Sequence, residues 1–250
     1  MAELDLGEVV AWLDALLDAP KFRMEEPENG LIVDTGRPVS RIGAAVNTSF
    51  AAITAAGVAG VDLLLVHHTS WPYIDLGMHV EKLALLRSLG VSLYCAHASL
   101  DGAPDIGTGD SLARLLGITV TDRFAEYEAA PAGVLGEWPG SLDALVAAVA
   151  KAVGGQPEVH RNRDRCDRVG IVTGAGSYTS WLDQARTLGC DTYLTGEGSM
   201  FTRLFAREAN MNLILAGHYR TEAPGIRTLA ERCAEHFALD WSIVEDDPIA

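Results

Sequence analysis

Four short apolar runs each end in side chains that can bind a metal ion or move a proton. The run Leu63 to Val66 leads into His67 and His68, and Val91 to Cys95 leads into His97, with Asp101 four residues on. Tyr193 to Thr195 is followed by Glu197, and Asn212 to Ala216 by His218, with Glu222 four residues beyond. His67, His68, Asp101, His218 and Glu222 form a mixed nitrogen and oxygen set that suits Zn, Mn, Fe, Ni or Co. Five ligands exceed what one tetrahedral ion with an open position requires. Two divalent ions about 3.5 to 4 Å apart, bridged by a carboxylate, would use the whole set and activate a water between them.

Each of these residues also has an ordinary explanation. Neighbours on a strand point to opposite faces, so His67 and His68 share a site only where the strand breaks up, and Thr69 to Pro72 supplies such a break. Asp101 precedes Gly102 in a common turn pair, and Glu222 stands where a helix is expected to begin near Thr221, with Pro224 in its first turn. His97 could be a ligand, an acid or base, or a hydrogen-bonded partner of a ligand. Glu197 could be a general base or the outer partner of a histidine. Asp110 and Ser111 read as caps of the helix in GDSLARLLG. Gly174 to Ser177 reads as a tight strand-to-helix turn or an anion loop; the full GxGxxG fingerprint is absent because Thr179 holds its last position.

The elements that must carry these residues follow one plan. An amphipathic helix is expected from Leu6 to Leu17, where Val9, Val10, Leu13, Leu16 and Leu17 recur at helical spacing. Residues 51–68, 81–97 and 181–197 then each place a helix, a glycine and a short β-rich run in that order, and residues 201–219 repeat the plan with Asn210 as the helix stop. Further helices are expected over 142–153 and 222–237, with a last strand near 241–244. Helices alternating with continuous apolar strands indicate an α/β fold with mainly parallel, doubly covered sheet, whose ligand sites gather beyond the carboxyl ends of the strands. Prolines and the Gly154-Gly155 pair punctuate residues 123–168, the join between two lobes, approximately 1–122 with 214–250, and 123–213.

Composition narrows the partners. The chain has 250 residues, 48% hydrophobic and 21% charged, enough to bury a substantial core. With 19 Lys and Arg against 34 Asp and Glu, the net charge is −15. A polyanion without a basic run has no footprint for phosphate backbones or anionic lipid, so nucleic acid and membrane are poor partners. The longest uninterrupted apolar stretches fall far short of the ~20 residues a spanning helix needs. The acidic N-terminus lacks the pattern of a secretory signal, and the four scattered cysteines read as free, buried thiols, so a cytoplasmic location is expected.

The segments PENGLIV, DLLLVHH, AHASLDG with GDSLARLLG, VTGAGSY, DTYLTGE and GHYRTEAPG, in this order from near the start to residue 225, resemble the GTP cyclohydrolase 1 type 2 family, also called Nif-three-like. The resemblance implies a single family domain over 1–250 made of two intertwined α/β lobes, a toroidal homohexamer, and a dinuclear metal site facing its inside. Its metal ligands fall on His67, His68, Asp101, His218 and Glu222. It further implies a metal-dependent, cyclohydrolase-like hydrolase of a nucleotide or related heterocycle, in which His97 or Glu197 would carry protons. The alternative from another class is a metal-binding or metal-delivering ring-shaped scaffold without turnover. Thr69, Ala98-Ser99, Gly109 and Met200 depart from the family's usual residues without removing a ligand; they change the surroundings that would read a substrate.

Overall fold

A computed structural model describes residues 4–244. In chain order its first elements are α1 (Leu6–Leu17), α2 (Ala19–Phe22), β1 (Gly30–Val33), β2 (Arg41–Asn47), α3 (Phe50–Val58), β3 (Leu63–His68), α4 (Pro72–Asp75), α5 (Gly77–Leu89), β4 (Ser92–Cys95) and α6 (Ala98–Asp101). There follow α7 (Thr108–Leu116), β5 (Val120–Tyr127), β6 (Ala130–Glu137), α8 (Leu142–Val153), β7 (Glu158–His160), β8 (Arg168–Val172), α9 (Thr179–Thr187), β9 (Thr192–Thr195), α10 (Met200–Glu208), β10 (Asn212–Leu215), α11 (His218–Phe237) and β11 (Asp240–Ile243). The described residues form two compact units, 4–103 with 226–244, and 104–225.

The first unit holds a five-stranded sheet in the order β1-β4-β3-β2-β11, parallel except for β1. Its central strands β2, β3 and β4 are buried on both faces, which is why they read as largely apolar runs. Leu64 and Val66 of β3 and Leu93 and Cys95 of β4 pack with Ala52, Ile53 and Ala56 of α3 and Leu86 of α5. By strand alternation Leu63, Leu65 and Tyr94 point the other way, and Tyr94 Oη donates to Asp14 Oδ1 of α1 at 2.9 Å. Burying the α1 stripe of Leu6, Val9, Leu13 and Leu17 accounts for its amphipathic spacing, and Asp5 caps it by accepting from the Glu8 amide.

The second unit holds a six-stranded mixed sheet in the order β5-β6-β8-β9-β10-β7. Two apolar layers cover it, and neighbouring residues on each strand divide between them. Val134, Ile171, Leu194 and Ile214 join α7 and α8, whereas Leu135, Val172, Tyr193 and Leu213 join α9 and α10. Because α7 puts Leu112, Ala113 and Leu116 into this core, the chain divides at Pro104, ahead of α7.

Helix stops follow the expected chemistry. Gly90, Gly117 and Gly154 adopt left-handed caps, and Asn210 at φ 54° serves α10 as glycine serves the others. Asp110 and Ser111 do not cap α7, as their position in GDSLARLLG suggests; Gly107 precedes its first residue. Asp110 lies in the first turn, accepts the Asp105 amide at 3.1 Å and takes both ends of the Arg123 guanidinium at 2.6 and 2.9 Å. Ser111 Oγ donates to Ile106 O. All four cysteines are free and buried. Among the described residues no helix is long and apolar enough to cross a membrane.

Candidate metal centre

In the first unit the parallel neighbours β3 and β4 bring their carboxyl ends together. Their pairing stops at Val66 and Cys95, while β3 continues beside β2 as far as Asn47 opposite His68. Beyond Cys95, Ala96 donates its amide to Val66 O and accepts at its carbonyl from His67 Nδ1, both at 2.8 Å. His68 Nδ1 donates to Asn47 Oδ1 at 2.8 Å, and His97 Nδ1 to Glu26 Oε1. A carbonyl or carboxylate can only accept, so each ring carries a proton on Nδ1, and Nε2 is the nitrogen that could serve as a metal ligand.

Strand alternation does not separate the two adjacent histidines, because different acceptors turn their rings at the strand end. Ring centroids of His67 and His68 are 4.7 Å apart, and those of His97 lie 5.0 and 5.4 Å from them. One ligand-capable nitrogen from each of the three rings lies within 4.8 Å of the other two. Asp101, the last residue of α6, places Oδ1 3.6 Å from His67 Nε2. Trp71, only 8% exposed, stands edge-on to His97 at 5.2 Å. Burial raises the Glu26 carboxyl, and hydrogen bonds from His97, Asn29 and Ala98 outweigh it, leaving the group below the ordinary carboxylate value.

In the second unit β8, β9 and β10 also run parallel, so the segments leaving their carboxyl ends emerge side by side. The spacing predicts a helix starting near Thr221; α11 begins at His218, after Gly217 at φ 91°, and the Thr221 amide already bonds Gly217 O. Pro224 therefore lies inside the helix, beyond its first turn. The earlier start puts His218 and Glu222 one turn apart on the same face, with His218 Nε2 3.0 Å from Glu222 Oε1. Glu197 Oε1 accepts from His218 Nδ1 at 2.9 Å, the outer-partner role of the two the sequence allows it. Burial disfavours the charged ring, but the two carboxylates outweigh it and hold His218 up at about 9.

The loop after β8 serves this pair. Gly174 has φ 62°, and a β-carbon there would stand 2.0 Å from Glu222 Oε1 and 3.0 Å from His218 Nε2. Its amide is taken by Thr221 Oγ1 and its carbonyl by the Glu197 amide, while the Ser177 amide bonds Ala175 O. A loop tied up in this way and pressed on a carboxylate is a tight turn supporting the histidine and glutamate, not an anion cradle.

The donors fit a divalent transition metal. His67 and His68 have their outer nitrogens fixed by acceptors, carboxylates stand beside them and beside His218, and no thiolate takes part, as expected for a borderline ion. Glu26, Asn29, Asn47, Trp71 and the contact role of Gly174 escape sequence reasoning. Of the first four, only Asn29 lies in a segment that carried the resemblance, PENGLIV.

Fold and site together define a class: two-unit α/β proteins with histidine and carboxylate donors at the carboxyl ends of their strands. Residues 4–247 match the family Duf34/NIF3 (NGG1p interacting factor 3), and the chain belongs to it. It is 32% identical over 256 residues to a protein of Deinococcus radiodurans named GTP cyclohydrolase 1 type 2 homolog, covering 97% of this chain and 93% of that one. A Halobacterium salinarum protein of the same name is 36% identical over 223 residues, 86% of each chain. The crystal structure of TTHA1606 from Thermus thermophilus superposes with a TM-score of 0.85 at 31% identity, covering 99% of this chain and all of the other.

Proposed function

We propose that this chain is a metal-dependent hydrolase of a nucleotide or related heterocycle, working with two divalent transition-metal ions on His67, His68, Asp101, His218 and Glu222. The observation that carries it is the three-imidazole cluster of His67, His68 and His97, whose outer nitrogens are all held by acceptors. The names of the relatives support the choice of a cyclohydrolase-like reaction.

Held by these residues, two such ions would supply a water of lowered pKa and Lewis acidity toward an electrophilic carbon. The chain's own residues do the rest. Ala96 O and Asn47 Oδ1 hold Nδ1 of His67 and His68 and leave Nε2 as the nitrogen that could ligate, and Glu197 holds Nδ1 of His218, whose Nε2 meets Glu222. His97, tethered through Nδ1 to Glu26, can take a proton at Nε2 and return it to the leaving atom. Trp71 walls His97 and limits the water around it. A ring of six copies and a small-molecule substrate belong to the same proposal.

The test is elemental analysis of protein purified without chelator or tag-derived metal, beside His68→Ala and Glu222→Ala checked by circular dichroism. About two ions per chain, lost in both variants, together with ring opening of one member of a nucleotide and heterocycle panel, support the reading. Fewer than two ions after reconstitution overturn the dinuclear centre. Labile metal with no turnover across the panel favours a metal-holding scaffold instead.

A further inference from the structure

His97 is held by more than one bond, and the holding group reaches back through the chain by some 70 residues. Glu26 Oε1 takes the proton of His97 Nδ1, and Glu26 Oε2 accepts from Asn29 Nδ2 at 2.5 Å and from the Ala98 amide at 3.3 Å. Asn29 is fully buried. Its Oδ1 accepts from the His97 amide at 3.0 Å, the Ser99 amide at 3.3 Å and Ser99 Oγ at 2.8 Å. Behind it, Arg23 Nε donates to Asn29 O at 2.6 Å, and the guanidinium also meets Asp14 Oδ1 at 2.5 Å.

One amide therefore clamps both the backbone of His97 and the carboxylate that holds its ring. The two ends of Asn29 face opposite demands: the oxygen meets donors only, and the nitrogen meets the Glu26 carboxylate and carbonyl. Neither aspartate nor leucine can meet both. A buried amide with both ends committed in this way specifies one arrangement and resists any other.

We propose that Glu26 and Asn29 are positioning residues for His97: Glu26 sets the ring as the Nδ1–H tautomer with Nε2 turned to His67 and His68, and Asn29 sets Glu26. That His97 then serves a reaction rests on the proposed function; that its ring is held rests on geometry alone.

The experiment is 15N solid-state spectroscopy of sedimented, 15N-histidine-labelled protein at pH 8 without added metal, with His97→Gln assigning the signal. The unaltered protein should show His97 as a single Nδ1–H tautomer. Asn29→Asp, which replaces only the donor end, should abolish that preference. So should Glu26→Gln, whose single acceptor oxygen must serve three donors. Circular dichroism and melting report whether each variant folds, and rescue by metal is not required for the reading. His97 found as the Nε2–H form or doubly protonated in the unaltered protein overturns the proposal even if no variant folds. An unchanged tautomer in both folded variants overturns it as well. Metal analysis of the same unaltered protein judges the proposed function separately: a metal-free protein with a clamped His97 sinks that function and leaves the positioning intact.

Discussion

The β-carbon that alanine would add at Gly174 falls 2.0 Å from Glu222 Oε1, inside any permitted contact. Glycine at this position therefore answers two demands at once, the left-handed backbone at φ 62° and the close passage of the chain over a carboxylate. Gly174→Ala should displace Glu222 and cut metal content well beyond the backbone strain alone. Gly154→Ala is the control, since it has φ 68° with nothing near its β-carbon. Both should lose about 1 kcal/mol in urea melts from the backbone conformation. Only Gly174→Ala should lose metal by elemental analysis; equal metal content in both would remove the contact argument.

The Asp110 and Arg123 pair ties the start of α7 to β5 inside the second unit. Asp110 is 6% exposed and receives two guanidinium bonds, so Arg123→Ala leaves a buried carboxylate without its charge partner. A loss of about 3 kcal/mol in urea unfolding is expected, with a smaller loss for the double variant Asp110→Asn, Arg123→Ala. A single-variant loss below that of the double would show that the carboxylate is not strained by its solitude.

Thiol chemistry should be silent in the folded protein. Burial pushes the Cys190 and Cys233 thiols up to about 12 and Cys95 higher still, and burial raises Cys166 too. An aromatic disulfide reagent should label none of the four cysteines within minutes at pH 8 and all four in guanidinium chloride. Fast labelling of any one in the native state would contradict its burial.

Glu158 offers a readable pH dependence. The hydrogen bond from Arg203 is the main cause that takes its carboxyl down to about 2, with His160 adding to it against some burial. A folded value below the unfolded one means the pair stabilises the protein above the ordinary carboxylate range. That stability disappears as the pH falls from about 4.5 toward 2. Glu158 is half exposed, so the effect should stay under about 1 kcal/mol. The melting-temperature gap between the unaltered protein and Arg203→Ala should hold from pH 7 to pH 5 and narrow steadily as the pH falls from about 4.5 toward 2; a gap that widens over that fall would reverse the sign.

Helices and strands were legible wherever a local pattern carried them. The stripe from Leu6 to Leu17, the apolar run before Gly154 and the glycine stops at Gly90 and Gly189 all depend on neighbours within one or two turns. The start of α11 was less legible. Pro224 and Thr221 look like a first turn, yet Gly217 and the Thr221 amide start the helix one turn sooner. That shift converts a strand-end histidine and a helix-cap glutamate into one facing pair.

By itself the sequence determined an α/β chain, the residue types able to hold a metal, and their place just past the strand ends. These follow from periodicity and from the polarity of single residues, which are local properties. Tertiary structure alone decided which acceptor holds Nδ1 of these four histidines, because those acceptors lie far off in the chain: Ala96 for His67, Asn47 for His68, Glu26 for His97 and Glu197 for His218. It also decided that Gly174 must be bare beside Glu222. A tautomer and a steric contact are set by what arrives across space, and no spacing along the chain encodes them.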